Sequence, residues 1–392
     1  MIKGENIICI SNTSWFGNYA KSTVQILERL AINNNVLFVE YPFSIKDVIS
    51  TLRGKQNAPV KRMLGLEKSL QIIDTNVGSK VYDLVMPPVL PLYFLKNEKL
   101  FNLLFSINTF IYKQKVKKTI KKLRFENPIV ITAYNPFYGL TTLKKLGEKA
   151  SIYYCYDGVE SGFFGKRIFE FENRFSEKVD GIITTSEYLN SEKKKLNDKS
   201  YVVKNGVDFP VFQPFAKSEV FENKRKKVGY IGSLDGRFDI DTVENAILKL
   251  SDFDFEFTGD LMNAKVKQRL EKYENVKFFP PINQNDVPKL LATYDVGIIP
   301  YLVNEVNRNI YPLKINEYLA VGVPLVMNAF ADLPEFEGIV SVSLDKENFI
   351  TKLVEETKND SIEKIKLRIG FAKSNSWEAR TESFSKILEK FI

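Results

Sequence analysis

Asn6-Ile7-Ile8-Cys9-Ile10-Ser11 is an apolar run that closes on a small polar residue. It reads as a strand buried on both faces, the pattern of a parallel sheet. A polar loop carrying Gly17 follows. Across 19–31 the apolar residues Val24, Ile26, Leu27 and Leu30 recur at helical spacing. Val36-Leu37-Phe38-Val39-Glu40-Tyr41 is a second apolar run. Strand, helix, strand is the opening of a βαβ unit.

The same alternation continues outward. Residues 44–70 read as irregular, basic and polar, and 98–124 as a long helix ending in a basic run. Ile129-Val130-Ile131-Thr132, Ser151-Ile152-Tyr153-Tyr154-Cys155 and Gly181-Ile182-Ile183-Thr184 read as further central strands. Lys227-Val228-Gly229-Tyr230-Ile231-Gly232 is a strand entering a glycine turn. Phe253–Thr258, Val276–Phe279, Val296–Ile299 and 324–327 are strand candidates. Helical segments fall near 241–250, 263–272, 286–292, 313–320 and 346–357. The segment with Pro210 and Pro214 and the charged stretch 217–227 read as a linker, which sets a boundary after Asp208. The expected fold class is α/β: two Rossmann-like, doubly wound domains, each with its own parallel sheet.

A chain of 392 residues is long enough for two such domains. It contains no histidine, so Ser-His-Asp triads, Cys-His dyads, HExxH zinc sites and imidazole bases are excluded. The two cysteines, Cys9 and Cys155, lie far apart in apolar runs and read as buried free thiols of a reducing compartment. No secretion signal is read at Met1 to Asn6. The longest apolar stretch, 84–95, holds Pro87, Pro88 and Pro91 and is too short to span a bilayer. A cytoplasmic protein, soluble or peripheral on the membrane, is expected.

The net charge of +8 is unevenly placed. Up to Asp208 there are 31 basic and 20 acidic residues, and beyond it 25 and 28. The first half therefore suits an anionic partner: a membrane surface, a phosphorylated substrate or nucleic acid. Lys113, Lys115, Lys117, Lys118, Lys121, Lys122 and Arg124 follow the apolar stretch from Phe101 to Tyr112, with no acid among them. They suit anionic lipid headgroups. The plainer alternative is a solvated helix face. No nucleic-acid reader motif accompanies the run.

In open parallel sheets, ligands bind beyond the carboxyl ends of the strands. The most specific loop there is Asn309-Ile310-Tyr311-Pro312-Leu313-Lys314-Ile315-Asn316-Glu317, which runs on to Gly322-Val323-Pro324. Pro312 suits a helix's first turn. The free N–H groups of that turn make a phosphate site, to which Lys314 adds a full charge. Glu317, one turn on, shares the face of Leu313 and Lys314 and can hold a ribose through two hydroxyls. An amphipathic helix with solvated Lys and Glu is the plainer reading. Gly232 lets a ligand approach the backbone, and Arg237 suits a diphosphate. In the first half, Asp157 follows a strand expected to be central. Buried there, it suits a general base with a raised pKa, and otherwise it caps the next segment. Asn12, Ser14 and Gly17 suit the same cleft, whereas Glu170 and Glu172 read as structural.

Taken together, Tyr154-Cys155-Tyr156-Asp157, Thr185-Ser186-Glu187-Tyr188-Leu189, Asn205-Gly206-Val207-Asp208, Asp295-Val296-Gly297-Ile298-Ile299-Pro300 and the 312–324 segment resemble the GT-B glycosyltransferases. The likeness is strongest to the family 4 type with its teichuronic-acid-synthesis-like relatives, and it runs in order over nearly the whole chain. Ser376-Trp377-Glu378-Ala379-Arg380 resembles the family's closing helix. The resemblance implies a first domain over 1–208 that binds an acceptor and a second over 209–372 that binds a nucleotide-sugar. It further implies a cleft between them and a helix over 373–392 crossing back to the first. It implies that no metal or cofactor is needed, that Glu317 binds ribose, and that Lys314 meets the phosphates or donor sugar. The sequence departs from the family pattern at Asn309, where a second glutamate is usual, and at Ser233, where an arginine is usual. The histidine that often touches the donor sugar is absent. A first-domain Asp with a Lys near the phosphates also resembles the inverting xanthan-type glucuronosyltransferases.

The reading is therefore a membrane-peripheral, metal-independent glycosyltransferase of polysaccharide biosynthesis. It moves a sugar from a UDP- or GDP-sugar to a lipid-linked bacterial surface glycan, with retention. Gly232, Arg237, Tyr311, Leu313, Lys314 and Glu317 serve the donor. Asn12, Ser14 and Gly17 serve the acceptor. The alternatives are an inverting enzyme with Asp157 as base, and a non-catalytic nucleotide- or glycan-binding GT-B protein. A nucleic-acid-binding protein using the basic run is a further rival. A sugar epimerase of the same fold has no constellation in its favour.

Overall fold

The computed structural model describes residues 1–17, 21–92, 94–158, 167–220 and 224–392. The chain forms two compact units: Met1–Lys204 with Thr381–Ile392, and Asn205–Arg380.

The first unit is built on β1 (Asn6–Ser11), β2 (Asn35–Val39), β3 (Leu70–Asp74), β4 (Lys80–Leu84), β5 (Ile129–Ala133), β6 (Ala150–Cys155), β7 (Gly181–Thr184) and β8 (Ser200–Val202). Their order in the sheet is β3-β4-β2-β1-β5-β6-β7-β8, parallel throughout except for the β3–β4 hairpin. β1, β5, β6 and β7 are almost wholly buried, which is why they are written in uninterrupted apolar residues. The sheet reverses its winding between β1 and β5, and ligand crevices of such sheets form at that point. The chain's last segment packs in this unit. Ser385 Oγ accepts from the Ile2 N–H, and Phe384 meets Tyr154 edge-on.

The second unit holds β9 (Lys226–Ile231), β10 (Phe253–Thr258), β11 (Val276–Phe279), β12 (Val296–Ile299), β13 (Leu325–Asn328) and β14 (Ser341–Ser343). The order is β11-β10-β9-β12-β13-β14, all parallel. Here the winding reverses between β9 and β12.

Several expectations are corrected. Residues 44–70 are not irregular throughout. Ser44 and Asp47 exchange side-chain and backbone hydrogen bonds in a capping box that starts the helix Ile45–Leu52. The stretch with Pro210 and Pro214 is not a loose linker. Val207, Phe209 and Phe212 enter the second unit's core, and Lys217 is buried with its Nζ on the Tyr294 carbonyl. The β3–β4 hairpin and the short strands β8 and β14 carry no strong apolar run and were not anticipated. The helix expected over 19–31 is Ser22–Leu30, with Tyr19 and Ala20 outside the described residues. Cys9 and Cys155 are buried free thiols.

Candidate functional site

In the second unit the polar side chains gather at the reversal between β9 and β12. Gly232, just past β9, has φ +132°, and a Cβ there would strike the Lys314 ammonium. Gly259, past β10, has φ +144°, and a Cβ there would strike the Gly232 carbonyl. Two glycines thus let the two turns and a lysine pack in one place. The lysine comes from the helix Leu313–Ala320, which has Pro312 as its N-cap and no side-chain cap. Pro312 therefore precedes the first turn, and the N–H groups there face no capping side chain.

Lys314 Nζ donates to the hydroxyls of Tyr230 and Tyr301, each at 3.1 Å. It also lies 4.5 Å from the centre of the Tyr230 ring. Burial pulls the ammonium's pKa down, but the two phenols more than offset it, so Lys314 is held above its ordinary value. Tyr301 is pushed up by burial and brought down further by Lys314 and Arg237, ending below an ordinary phenol. Arg237 is forked onto the Asp235 carboxylate, with Nε 3.0 Å from each oxygen, and its guanidinium lies 5.4 Å from the centre of the Tyr301 ring. Expected to stand ready for a diphosphate, Arg237 is instead partnered by a carboxylate.

Glu317 follows one turn along. Burial pushes its carboxyl up to about 7, against the pull of Lys314. Leu313 opens the helix and is half-buried, so what it presents is its backbone. Tyr311 is buried. Its ring packs against Phe336, and its carbonyl accepts from Asn205 Nδ2 at 2.9 Å. It is a scaffold for the turn. Asn309 Nδ2 bonds back to the Glu305 carbonyl.

In the first unit the loop after β1 sits at the β1–β5 reversal. The Asn12 N–H donates to the Ala133 carbonyl at 3.1 Å, and Asn135 Nδ2 to the Ser11 carbonyl at 2.9 Å. Ser14 Oγ and the Trp15 N–H both donate to Glu40 Oε1, at 3.1 and 2.9 Å. Lys21 Nζ donates to the Ser14 and Phe16 carbonyls. Gly17, at the exposed end, has φ +152°. Glu40 is buried and shares one face of the sheet with Asp83, whose Oδ2 is 2.7 Å from Arg62 Nη1. One oxygen of each carboxyl, Glu40 Oε2 and Asp83 Oδ1, is buried without a hydrogen-bond partner. Burial, and then the Asp83 charge, push Glu40 up to about 8. Two adjacent buried carboxyls with facing acceptors share a proton.

Asp157, at the carboxyl end of β6, is exposed, not buried. Its Oδ1 accepts from the Gly158 N–H at 2.8 Å. Tyr134 Oη donates to the Gly158 carbonyl at 2.7 Å, and Tyr134 N–H to the Tyr154 carbonyl at 3.0 Å, which joins this loop to the β5 loop. Glu172 is structural: buried, it accepts from Tyr153 Oη at 2.8 Å and pairs with Lys193 Nζ at 2.8 Å.

Sequence reasoning missed Tyr230, Tyr301, Glu40 and Asp83. The first two had a signal, since each stands where β9 or β12 opens into its loop. Glu40 was visible as an acid closing an apolar strand. Asp83 gave none, because its strand was not anticipated. Among the described residues, no group of three or more acidic or cysteine side chains could hold a metal.

Two Rossmann-like sheets of this order are the architecture of GT-B glycosyltransferases. Residues 225–359, which contain the whole of the lysine site, match the family Glycosyl transferases group 1. Over 176 residues the chain is 32% identical to TuaH of Bacillus subtilis, whose own description as a teichuronic acid biosynthesis glycosyltransferase is provisional. That match spans 42% of this chain and 44% of the relative's length. Among solved structures, sucrose-phosphate synthase from Thermosynechococcus elongatus is similar at TM-score 0.71 and 14% identity, covering 99% of both chains. A glycosyltransferase from Rickettsia africae is similar at TM-score 0.66 and 13% identity, covering 99% of this chain and 98% of that one. These likenesses carry the fold.

Proposed function

We propose that the chain is a nucleotide-sugar-dependent glycosyltransferase of polysaccharide biosynthesis, acting from a UDP- or GDP-sugar on a lipid-linked glycan. The observation that carries this reading is the Lys314 ammonium, kept charged by two phenols at the sheet reversal, with Glu317 one turn on. A half-buried cation beside uncapped helix N–H groups suits a diphosphate. A carboxylate at the depth of Glu317 accepts from the two ribose hydroxyls. Arg237 exchanges Asp235 for the donor's phosphates.

In the reaction the bond from the anomeric carbon to the diphosphate oxygen breaks. Lys314, Arg237 and the helix N–H groups carry the charge that builds on the leaving oxygen. A hydroxyl of the acceptor attacks the anomeric carbon on the face the diphosphate leaves, and its proton passes to the departing phosphate. Retention follows, no protein nucleophile is used, and the cationic cluster takes the place of a metal. The first unit, with the loop Asn12, Ser14 and Gly17, presents the acceptor.

Peripheral membrane association is part of this reading, at the inner face of the cell membrane, and no nucleic acid takes part. The long helix Glu98–Leu123 exposes Leu103, Ile107, Phe110 and Ile111, followed on the same face by Lys118 and Lys121. Among the described residues no helix is long and apolar enough to cross a membrane. The test is nucleotide release from UDP- and GDP-sugars in the presence of membrane extract, followed by product analysis. Release and transfer support the reading. Nucleotide binding with neither release nor transfer on any acceptor would favour a non-catalytic binding protein.

A further inference from the structure

A cavity of about 390 Å³ lies wholly within the first unit, apart from the loops after β1 and β6. Its walls come from the residues after β2 and β4, from the helix Ile45–Leu52, and from the inner face of the helix Glu98–Leu123. Tyr41, Leu92, Phe94, Phe105 and Tyr138 give it an apolar side, and Lys46, Asp47, Ser50 and Gln56 a polar one. The volume and lining are those of a small-molecule site. Tyr138 is 3% exposed. Asn108 holds the wall open from the long helix, since its side chain exchanges both hydrogen bonds with the backbone of Leu90.

The surroundings decide the class of ligand. The mixed lining suits an amphiphile, with a polar head and an apolar chain. Here Phe94, itself a wall residue, is 72% exposed. The helix Ile45–Leu52 exposes Ile45, Ile49 and Leu52 along one side. On the long helix the outer face is one stripe. Leu103, Ile107, Phe110 and Ile111 form its first half, and Lys117, Lys118, Lys121 and Lys122 its second. No acid stands between Lys99 and Phe125, and none of those four lysines has an ion-pair partner among the described residues. Exposed apolar side chains along a helix that continues into unpaired cations suit a bilayer carrying anionic headgroups. At the cavity itself Lys46 supplies a further cation, beside Asp47, whose carboxylate is taken up by the Ser44 N–H and hydroxyl.

We propose that this cavity takes the hydrocarbon chain of a phosphate-bearing bilayer amphiphile, drawn in behind the long helix while that helix's outer face rests on the membrane. The proposal rests on the reading that the acceptor is lipid-linked. It adds a chain site inside the protein, beyond surface contact. Tyr41, which begins the cavity, directly follows Glu40, the residue that holds the Ser14–Trp15 turn. The cavity and the turn are thus joined through consecutive residues of one strand end.

The test uses the full chain, vesicles of phosphatidylcholine and phosphatidylglycerol at about 7:3, and hexadecyl phosphate carrying a diazirine in its chain. Irradiation followed by peptide mapping should label Tyr41, Phe105 or Tyr138. Ser50→Trp fills the cavity from the helix Ile45–Leu52 and leaves the outer faces alone, with Ser50→Phe as a milder second variant. Both should float with the vesicles within twofold of wild type while losing at least fivefold of the label. Unchanged melting temperatures show that the variants fold. Label confined to Leu103, Phe110 and their neighbours would overturn the proposal, as would labelling that survives both variants. The donor reading is scored separately by a UDP- or GDP-induced thermal shift. Loss of that shift sinks the glycosyltransferase account and leaves the labelling result standing.

Discussion

Lys314 Nζ and Tyr301 Oη lie 3.1 Å apart, and the same ammonium is 3.1 Å from Tyr230 Oη. The lysine comes from a helix and the tyrosines from the β9 strand and the β12 loop, so three separate segments meet on one charge. A hydrogen bond to a charged group contributes about 1.5–3 kcal/mol. Tyr301→Phe should therefore weaken nucleoside diphosphate binding about tenfold, and Lys314→Met by more. Titration calorimetry with UDP and GDP checks this. Wild-type affinity in Lys314→Met would remove the lysine from the site.

Donor binding should strengthen as pH rises through about 7, where the Glu317 carboxyl ionises. The ionised form accepts from both ribose hydroxyls, whereas the protonated form gives up one acceptor. Affinity measured from pH 6 to 8.5 should rise for wild type and stay nearly flat for Glu317→Gln. A flat wild-type profile would contradict the assignment.

The unliganded protein should show the opposite trend. Glu40 and Glu317 are raised from 4.5 to about 8 and about 7 in the fold. The folded state therefore binds more protons than the unfolded chain across that window. Stability is greatest below about pH 4.5 as far as these two groups are concerned, and it is lost as pH rises through 7 and 8. Glu40→Gln should flatten the decline in melting temperature between pH 5 and 8.5. Glu40→Ala should also loosen the Ser14–Trp15 turn, seen as a change in Trp15 fluorescence, because that N–H and hydroxyl lose their acceptor. A decline as steep in Glu40→Gln as in wild type would count against the shared proton.

Asp157→Asn should keep turnover within about twofold. The side chain is exposed and accepts from the Gly158 N–H, so it lies in water and not in the buried setting expected of a base. General-base catalysis contributes about 100- to 10,000-fold. A loss on that scale, with nucleotide affinity intact, would establish the inverting mechanism.

Phe110→Glu with Ile107→Glu should abolish flotation on anionic vesicles and leave nucleotide affinity unchanged. Lys118→Glu with Lys121→Glu should weaken flotation at low salt, each charge near the surface contributing about 1 kcal/mol. Flotation that persists in the first pair would move the membrane contact elsewhere.

The parallel sheets were legible because strands buried on both faces are written in uninterrupted apolar residues, as in Asn6–Ser11 and Gly181–Thr184. The β3 edge strand was not, because its residues are half exposed and mixed in polarity. Lys314, Glu317 and Gly232 were found because local rules place them: a proline before a helix, one turn of spacing, a glycine after a strand. Tyr311 was named for its turn, and the burial of its ring against Phe336 could not be read locally. Tyr230 and Tyr301 escaped because their role depends on β9 and β12 being neighbours, a fact of strand order. Arg237 was found, but its pairing with Asp235 makes it a guarded charge.

The most direct test is a thermal-shift titration of wild type and Lys314→Met with UDP, GDP, CMP and ADP, since a ligand that binds only the folded state raises its melting temperature. The account predicts a concentration-dependent rise with UDP or GDP that is lost in Lys314→Met. An equal rise in the variant, or a rise with none of the four, would contradict a diphosphate site at Lys314.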